Sequence, residues 1–333
     1  MRVLRAAVVG LGVGERHLRS YKECPDVDVV AICDLDGAKM REVGERYGVA
    51  RRYTDYRAVT EDPSIDVVSI CTYDDVHAEQ AASALLHGKH VMVEKPAAVD
   101  RTQADALVRA WRASGRLITS NLILRRSPRF AALKRRVDAG DLGTPYYLEG
   151  DYIHHVPNKI IDGWRGRISV YSPLFGGGIH LVDLLRWIVG NDVEAVCAMG
   201  GALATAGTGY RFDDTSVALL RFVGGALAKV MVTLVPRHPF FHAVRVFGTE
   251  ATFENRSGDA LWYTGEDAAQ AVTETYPGYD KGDLIPDFIA AIRQEREPEV
   301  SAGDVFHVMN ICLSAQESRE TGRFVPVPRG PLS

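Results

Sequence analysis

The stretch AAVVGLGVGERHLRSY, residues 6–21, sets an apolar run ahead of a glycine-rich bend and a helical pattern. Gly10 and Gly12 stand where a backbone must turn sharply and then approach an anion closely, with a helix N-terminus pointing its free N–H groups at it. In the usual G-x-G-x-x-G spacing the third glycine would fall at position 15, which is Glu15; Gly14 arrives one residue early. The segment Gly10, Leu11, Gly12, Val13, Gly14 is thus either a diphosphate cradle with a shortened turn, in which Gly14 gives the close approach, or only a glycine-rich bend. The next strand, VVAICDLD, ends in Asp34, about 20 residues beyond the glycines, where a carboxylate can hold ribose hydroxyls. Leu35 and Asp36 follow it, with no adjacent arginine to receive a 2′-phosphate, so NAD is expected over NADP. The plainer alternative for Asp34 is an acidic turn residue closing a strand.

The first third of the chain alternates two periods. VLRAAVV, DVVAICD, DVVSICT and KHVMVEK read as strands buried on both faces, and AEQAASALLHG and TQADALVRAWRASG as helices closed by glycine. That alternation predicts a parallel sheet with right-handed crossovers. RLITSNLIL reads as one more strand, and PRFAALKRRVDAGDLG as a helix opening at Pro128. Beyond about residue 145, TPYYLEGDYIHH, VEAVCAMG, DTSVALLRFVGGALAKVMVTLV and AVRVFGTEATFEN alternate over long runs with glycine corners at 224–225 and 248. They predict a large, mainly antiparallel sheet with one open face. Helices are expected at GGGIHLVDLLRWIVG, LIPDFIAAIRQE and DVFHVMNICLSAQESRETG. The fold class is therefore α/β, with a nucleotide-binding domain over 1–122 and an α+β domain for substrate binding and oligomerisation over 123–333, whose last helix can pack back on the first domain.

The 333 residues carry a net charge of −4, which offers no basic surface for nucleic acid or an anionic membrane. No apolar run approaches the ~20 residues that span a bilayer, and MRVLRAAVVGLG lacks the small-residue cleavage site of a signal peptide; the cytoplasm is the expected compartment. Five cysteines, at 24, 33, 71, 197 and 312, form no C-x-x-C and read as reduced thiols. No metal is expected. His154 and His155 would face opposite sides of a strand, and Pro239 separates His238 from His242.

At VEKP, residues 93–96, the pattern becomes more specific, and the chain resembles the Gfo/Idh/MocA family over nearly its whole length. GLGVGERH is similar to that family's glycine loop followed by a histidine, His17. SICTYDDVHAEQA is similar to its T-P-N-x-x-H segment through Thr72 and His77, and HVMVEKP matches its E-K-P motif through Glu94, Lys95 and Pro96. LRRSP resembles a segment with an arginine near the site, Arg125; GWR and GGGIHLVDLLRW resemble its W-R and G-x-H-x-x-D-L elements, with Arg165, His180 and Asp183. The resemblance implies a Rossmann domain, a second α+β domain, dimers or tetramers through the open sheet, and a nicotinamide oxidoreductase of a sugar, cyclitol or sugar nucleotide. It also implies a lysine beside the reacting carbinol, Lys95, and a histidine that carries the proton, His180. On this basis Thr72, Tyr73, His77, Glu94, Lys95 and Arg165 join the glycine loop and Asp34 as cofactor contacts. Three departures stand out. The loop is short; Tyr73 and Asp74 replace a proline and an asparagine; and Gly176 stands four residues before His180, where many sugar and inositol members carry aspartate.

Hydride transfer from an alcohol requires that its proton leave, so an acid/base group must touch the hydroxyl. Histidine suits that task near neutral pH, and a lysine at a strand's carboxyl end can steady the alkoxide or act as the base if desolvated. Each has a plain counterpart: a solvated surface lysine and a helix-start packing histidine. Asp183, three residues after His180, either orients it or is a local polar residue. The polar and aromatic stretch 151–173 suits a loop closing over a carbohydrate, with Arg125, His154, Asp162, Tyr171 and Asp183 as candidate substrate contacts. The competing functional readings are a catalytically silent, NAD-responsive regulator, and an enzyme of the same fold acting on a non-sugar.

Overall fold

The computed structural model describes residues 2–329, which fall into two compact units. The first comprises residues 2–123 together with 280–306; the second comprises 124–279 and 307–329. Each is taken by itself below.

In the first unit, β1 (Leu4–Val9), α1 (Gly14–Glu23), β2 (Val27–Cys33), α2 (Gly37–Tyr47), β3 (Arg51–Tyr53), α3 (Arg57–Thr60), β4 (Val67–Ile70), α4 (His77–Leu86), β5 (His90–Val93), α5 (Arg101–Ser114) and β6 (Ile118–Ser120) follow in order. All strands pair in parallel, in the order β3-β2-β1-β4-β5-β6. Val67 to Ile70 are buried throughout, as strands covered on both faces must be. Helices start and stop where the sequence places caps: Asp36 accepts from the Ala38 and Lys39 N–H groups and Asp100 from that of Gln103, while Gly48 and Gly115 close their helices in the left-handed region. RLITSNLIL is only partly a strand. The ladder ends at Ser120, because the Asn121 side chain enters a buried polar cluster, and Ile123–Arg126 then winds into a 3₁₀ turn. Hydrophobic alternation alone could not reveal that break.

The second unit holds α6 (Pro128–Asp138), β7 (Pro145–Ile153), α7 (Pro157–Ile161), α8 (Ile179–Val189), β8 (Val193–Gly201), β9 (Thr215–Phe222), β10 (Leu227–Thr233), β11 (Phe241–Gly248), β12 (Thr252–Asn255), β13 (Ala260–Gly265), β14 (Ala268–Ala271) and β15 (Val325–Pro326). These form one sheet in the order β14-β13-β12-β11-β7-β10-β9-β8-β15, antiparallel except where β7 and β10 run parallel. One face is apolar: Leu148, Ala218, Leu220, Val230, Val232, Val244 and Val246 are all buried. Helix α8 lies on it, with Leu181 against Gly150 of β7 and Gly178 against Val232 of β10. The other face exposes Met199, Val217 and Leu219. The chain is completed by α9 (Ile285–Gln294) and α10 (Ala302–Thr321). Among the described residues no helix is long and apolar enough to cross a membrane.

Strand order in the first sheet reverses between β1 and β4, and the loops leaving those strands meet there. Gly10, at φ 86°, makes the meeting possible: a Cβ at that position would lie 2.4 Å from the Cys71 carbonyl oxygen. Gly10→Ala is therefore expected to destabilise the protein by about 2–4 kcal/mol in urea unfolding, combining backbone strain with a clash against main chain that cannot rotate away.

Candidate active site

In the first unit the candidate residues stand at the carboxyl ends of the parallel strands. Gly12 is exposed, and nothing lies within 4 Å of where its Cβ would be. Gly14, the first residue of α1, is buried, with a virtual Cβ 2.8 Å from Val8 Cγ1 and 3.1 Å from Cys71 Cβ. Gly14 thus packs helix against strand, as a third glycine does, while the Cβ position of Gly12 stays open. Helix α1 has no side-chain cap at Val13, so its leading N–H groups face the open space beside Gly12. At the end of β2 the Asp34 carboxylate accepts from the Leu11 N–H at 2.6 Å and the Asp36 N–H at 2.9 Å, which fixes its position beside the glycine loop. An open glycine cradle, an uncapped helix and an anchored carboxylate suit a dinucleotide.

After β4, Thr72 donates to Gln80 Oε1 at 2.7 Å, Tyr73 is exposed and Asp74 is buried. His77 ties this loop to the next: its Nδ1 lies 2.8 Å from the Pro96 carbonyl oxygen and its Nε2 3.2 Å from that of Thr72. With a ring only 1% exposed, His77 shapes the loop rather than facing solvent. Lys95 follows β5, its peptide bond to Pro96 is cis, and it is 9% exposed, unlike a solvated surface lysine.

Behind Lys95 lies a polar cluster that sequence reasoning missed. Glu94 Oε1 accepts from Asn121 Nδ2 at 2.6 Å and lies 3.4 Å from His17 Nε2. The Asn121 amide also donates to the Lys281 carbonyl at 3.0 Å. His17 Nδ1 reaches Ser69 Oγ at 3.1 Å, and Ser69 reaches the Tyr21 hydroxyl at 3.0 Å. Burial alone would push the Glu94 carboxyl up, but the His17 hydrogen bond, the Lys281 ammonium and the Asn121 amide hold it well below the usual carboxylate range. Lys281 stands 160 positions from Asn121, and no spacing could announce it.

The second unit carries the remaining candidates. His180 is 5% exposed in the first turn of α8, which follows a π-helical turn over Leu174–Gly178. Asp183 is fully buried and paired with Arg125 in a fork, Nε to Oδ2 at 2.9 Å and Nη2 to Oδ1 at 2.5 Å, and the Arg125 guanidinium lies over the Trp187 ring. Their charges are directed at each other inside the fold. Arg165 lies over the Trp164 ring at 4.3 Å. His154 Nδ1 meets the Tyr152 hydroxyl at 3.0 Å, and its ring packs on Phe240. Asp162 is exposed; its carbonyl accepts from Arg167. Tyr171 is buried, edge-on to Phe212. The stretch 154–171 is more ordered than an open loop, since it holds α7 and a 3₁₀ turn at Trp164–Gly166.

Two family models match the chain: an oxidoreductase family with NAD-binding Rossmann fold over residues 4–122, and the GFO/IDH/MocA C-terminal domain over 130–254. The chain belongs to the Gfo/Idh/MocA oxidoreductase family. It is an enzyme of the dehydrogenase or reductase type with an NAD-binding Rossmann domain. It is 26% identical over 331 residues to a myo-inositol 2-dehydrogenase of Thermotoga maritima, covering 97% of this chain and 98% of that protein. It is 28% identical over 330 residues to the Bacillus subtilis oxidoreductase YrbE, covering 96% and 95%. Among solved structures, a levoglucosan dehydrogenase in complex with NADH superimposes with a TM-score of 0.88 at 23% identity over 98% of this chain and 99% of that one, a likeness of fold.

Because Glu94 titrates lower in the folded chain than the ordinary value near 4.3, its contribution to stability is present above that pH and declines as pH falls below it towards the folded value. Urea unfolding between pH 6 and pH 3 is expected to show the wild type losing stability more steeply than Glu94→Gln below about pH 4, and parallel curves above pH 5. Parallel curves over the whole range would mean that the carboxyl is not held ionised.

Proposed function

We propose that this enzyme transfers hydride between NAD and a hydroxyl-bearing carbon of a sugar, cyclitol or sugar nucleotide. The observation that carries the reading is Lys95: a nearly buried lysine at the carboxyl end of a central parallel strand, preceded by a carboxylate whose buried partners fix it. The T. maritima relative's name supplies the cyclitol class, and the NADH-bound structural neighbour supplies the sugar-like one.

Gly10, Leu11, Gly12, Val13 and Gly14 bind the diphosphate through the open cradle and the uncapped α1 N-terminus. Asp34 takes the ribose hydroxyls and repels a 2′-phosphate, favouring NAD. Thr72, Tyr73 and Arg165 contact the cofactor, while His77 and Glu94 hold the loops that do so. NAD held there would supply the acceptor or donor of the hydride. Lys95 steadies the developing alkoxide, since a desolvated ammonium acts far more strongly than one in water. His180 takes the hydroxyl proton. His154 and Asp162 remain substrate contacts in this reading. Arg125 and Asp183 act from behind, by fixing α8. The compartment we assign is the cytoplasm.

Tryptophan-to-nucleotide energy transfer, titrated with NADH and NADPH in parallel, is expected to saturate with NADH preferred. A screen of sugars, cyclitols and sugar nucleotides then follows. Lys95→Ala should lower kcat about 10²-fold or more while NADH binding stays within about threefold. NADH binding without turnover of any candidate would overturn the sugar-like substrate class.

The open face of the large sheet is proposed as the contact between copies of this chain. Register aligns Met199 with Val217 and Met231, and Cys197 with Leu219, in two neighbouring rows across β8, β9 and β10. Leu219, 52% exposed, is the apolar centre. Light scattering should give a dimer or tetramer for the wild type, and Leu219→Arg should shift it towards monomer.

A further inference from the structure

Where β7 ends and β11 begins, the sheet assembles a grid of four rings. Tyr152 and His242 are direct cross-strand partners. Residues two apart share a face, and these strands are antiparallel, so His154 and Phe240 form the next row outward. The ring contacts follow that grid. Centroids lie 5.2 Å apart for Tyr152 and His242, 5.5 Å for Tyr152 and Phe240, 4.8 Å for Phe240 and His242, and 4.3 Å for His154 and Phe240. The inner row is buried, Tyr152 at 8% and His242 at 1% exposure. Hydrogen bonds fix it: the Tyr152 hydroxyl lies 3.0 Å from His154 Nδ1, and the Tyr276 hydroxyl 2.6 Å from His242 Nδ1. Phe240, in the outer row, is held by three rings and is still 45% exposed. The grid also abuts the turn that leads into α8. A Cβ on Gly177, three residues before His180, would meet the Tyr152 ring at 2.5 Å.

A ring fixed by its neighbours with one side open is a stacking surface, because covering that side removes apolar area from water at no cost in ordering the ring. The π face of such a ring is electron-rich and attracts weakly positive C–H groups. A cyclitol or a pyranose chair presents those groups: its ring C–H bonds point to the two faces, and most hydroxyls lie around the rim. An open-chain polyol has no continuous C–H face, and phenylalanine offers no hydrogen bond to its hydroxyls. We infer that Phe240 is the platform on which the substrate ring stacks, and that it selects cyclic polyols over open-chain ones. This rests on the sugar-like reading above and narrows it to rings. His154, proposed above as a substrate contact, stands beside the platform and supports it from the next strand.

Binding and turnover test the assignment separately. In saturation-transfer NMR on the NADH-loaded protein, with myo-inositol and D-sorbitol as probes, the ring C–H protons of myo-inositol should receive saturation and sorbitol far less. Phe240→Ala should weaken myo-inositol binding about tenfold or more, and Phe240→Tyr, which keeps the ring, should recover most of that loss. With any cyclic substrate that the screen yields, Phe240→Ala should raise KM about tenfold and leave kcat and NADH affinity within about threefold. Light scattering should give the same assembly for Phe240→Ala and wild type. An unchanged KM in Phe240→Ala, or a wild type that takes sorbitol as readily as myo-inositol, overturns the platform while the hydride-transfer reading stands. A shift of Phe240→Ala towards monomer makes the ring a subunit contact and overturns it equally. A wild type that turns over only a non-sugar overturns the sugar-like class itself, and the platform falls with it.

Discussion

One buried charge organises the first unit. Glu94 is 6% exposed, and an ionised carboxyl in that position persists only if its partners are fixed around it. Those partners come from α1 through His17, from the end of β6 through Asn121 and from the segment before α9 through Lys281. Ser69 on β4 and Tyr21 on α1 continue the chain of contacts behind His17. Removing one member of such an arrangement leaves a desolvated charge uncompensated, at a cost of order 3–5 kcal/mol. The carboxyl ends of three neighbouring strands and the base of the glycine-loop helix are therefore held by a single electrostatic requirement, and Lys95 is the next residue along the chain.

Much of this was legible in the sequence, and the exceptions have a common cause. The parallel sheet announced itself through β-branched runs separated by glycine-closed helices, and the second sheet through alternation such as that of TSVALLRF, whose burial alternates residue by residue. Asp34 was legible as the acidic residue that follows β2, while its anchoring by the Leu11 and Asp36 N–H groups was not. Asn121 was not, since RLITSNLIL keeps its hydrophobic pattern through a residue that turns inward for a hydrogen bond. The parallel pairing of β7 with β10 was equally hidden: pattern shows that a strand has two faces, not which neighbour it takes.

Arg125 and Asp183 illustrate a further limit. Sequence reasoning marks charged residues near a motif as ligand contacts, because exposed charge is cheap and function is a good reason to keep it. The bidentate pair instead lies 3% and 0% exposed, and each charge satisfies the other. In the proposed reaction its effect is indirect, through the seating of α8, whose first turn carries His180. A buried fork of this kind adds little net stability but penalises any arrangement that separates the partners, so it specifies one seating of the helix.

Glycines make the same point from the opposite side. A sequence shows where a side chain is absent, but the reason lies in whatever distant group uses the space. At Gly10 that group is the main chain of Cys71, and at Gly14 it is the side chains of Val8 and Cys71. At Gly12 it is nothing in the protein, which is what a ligand-approach position requires. At Gly176 it is the Tyr171 hydroxyl. Position 176 is thus closed to a side chain by packing within the protein, whereas position 12 is open and exposed.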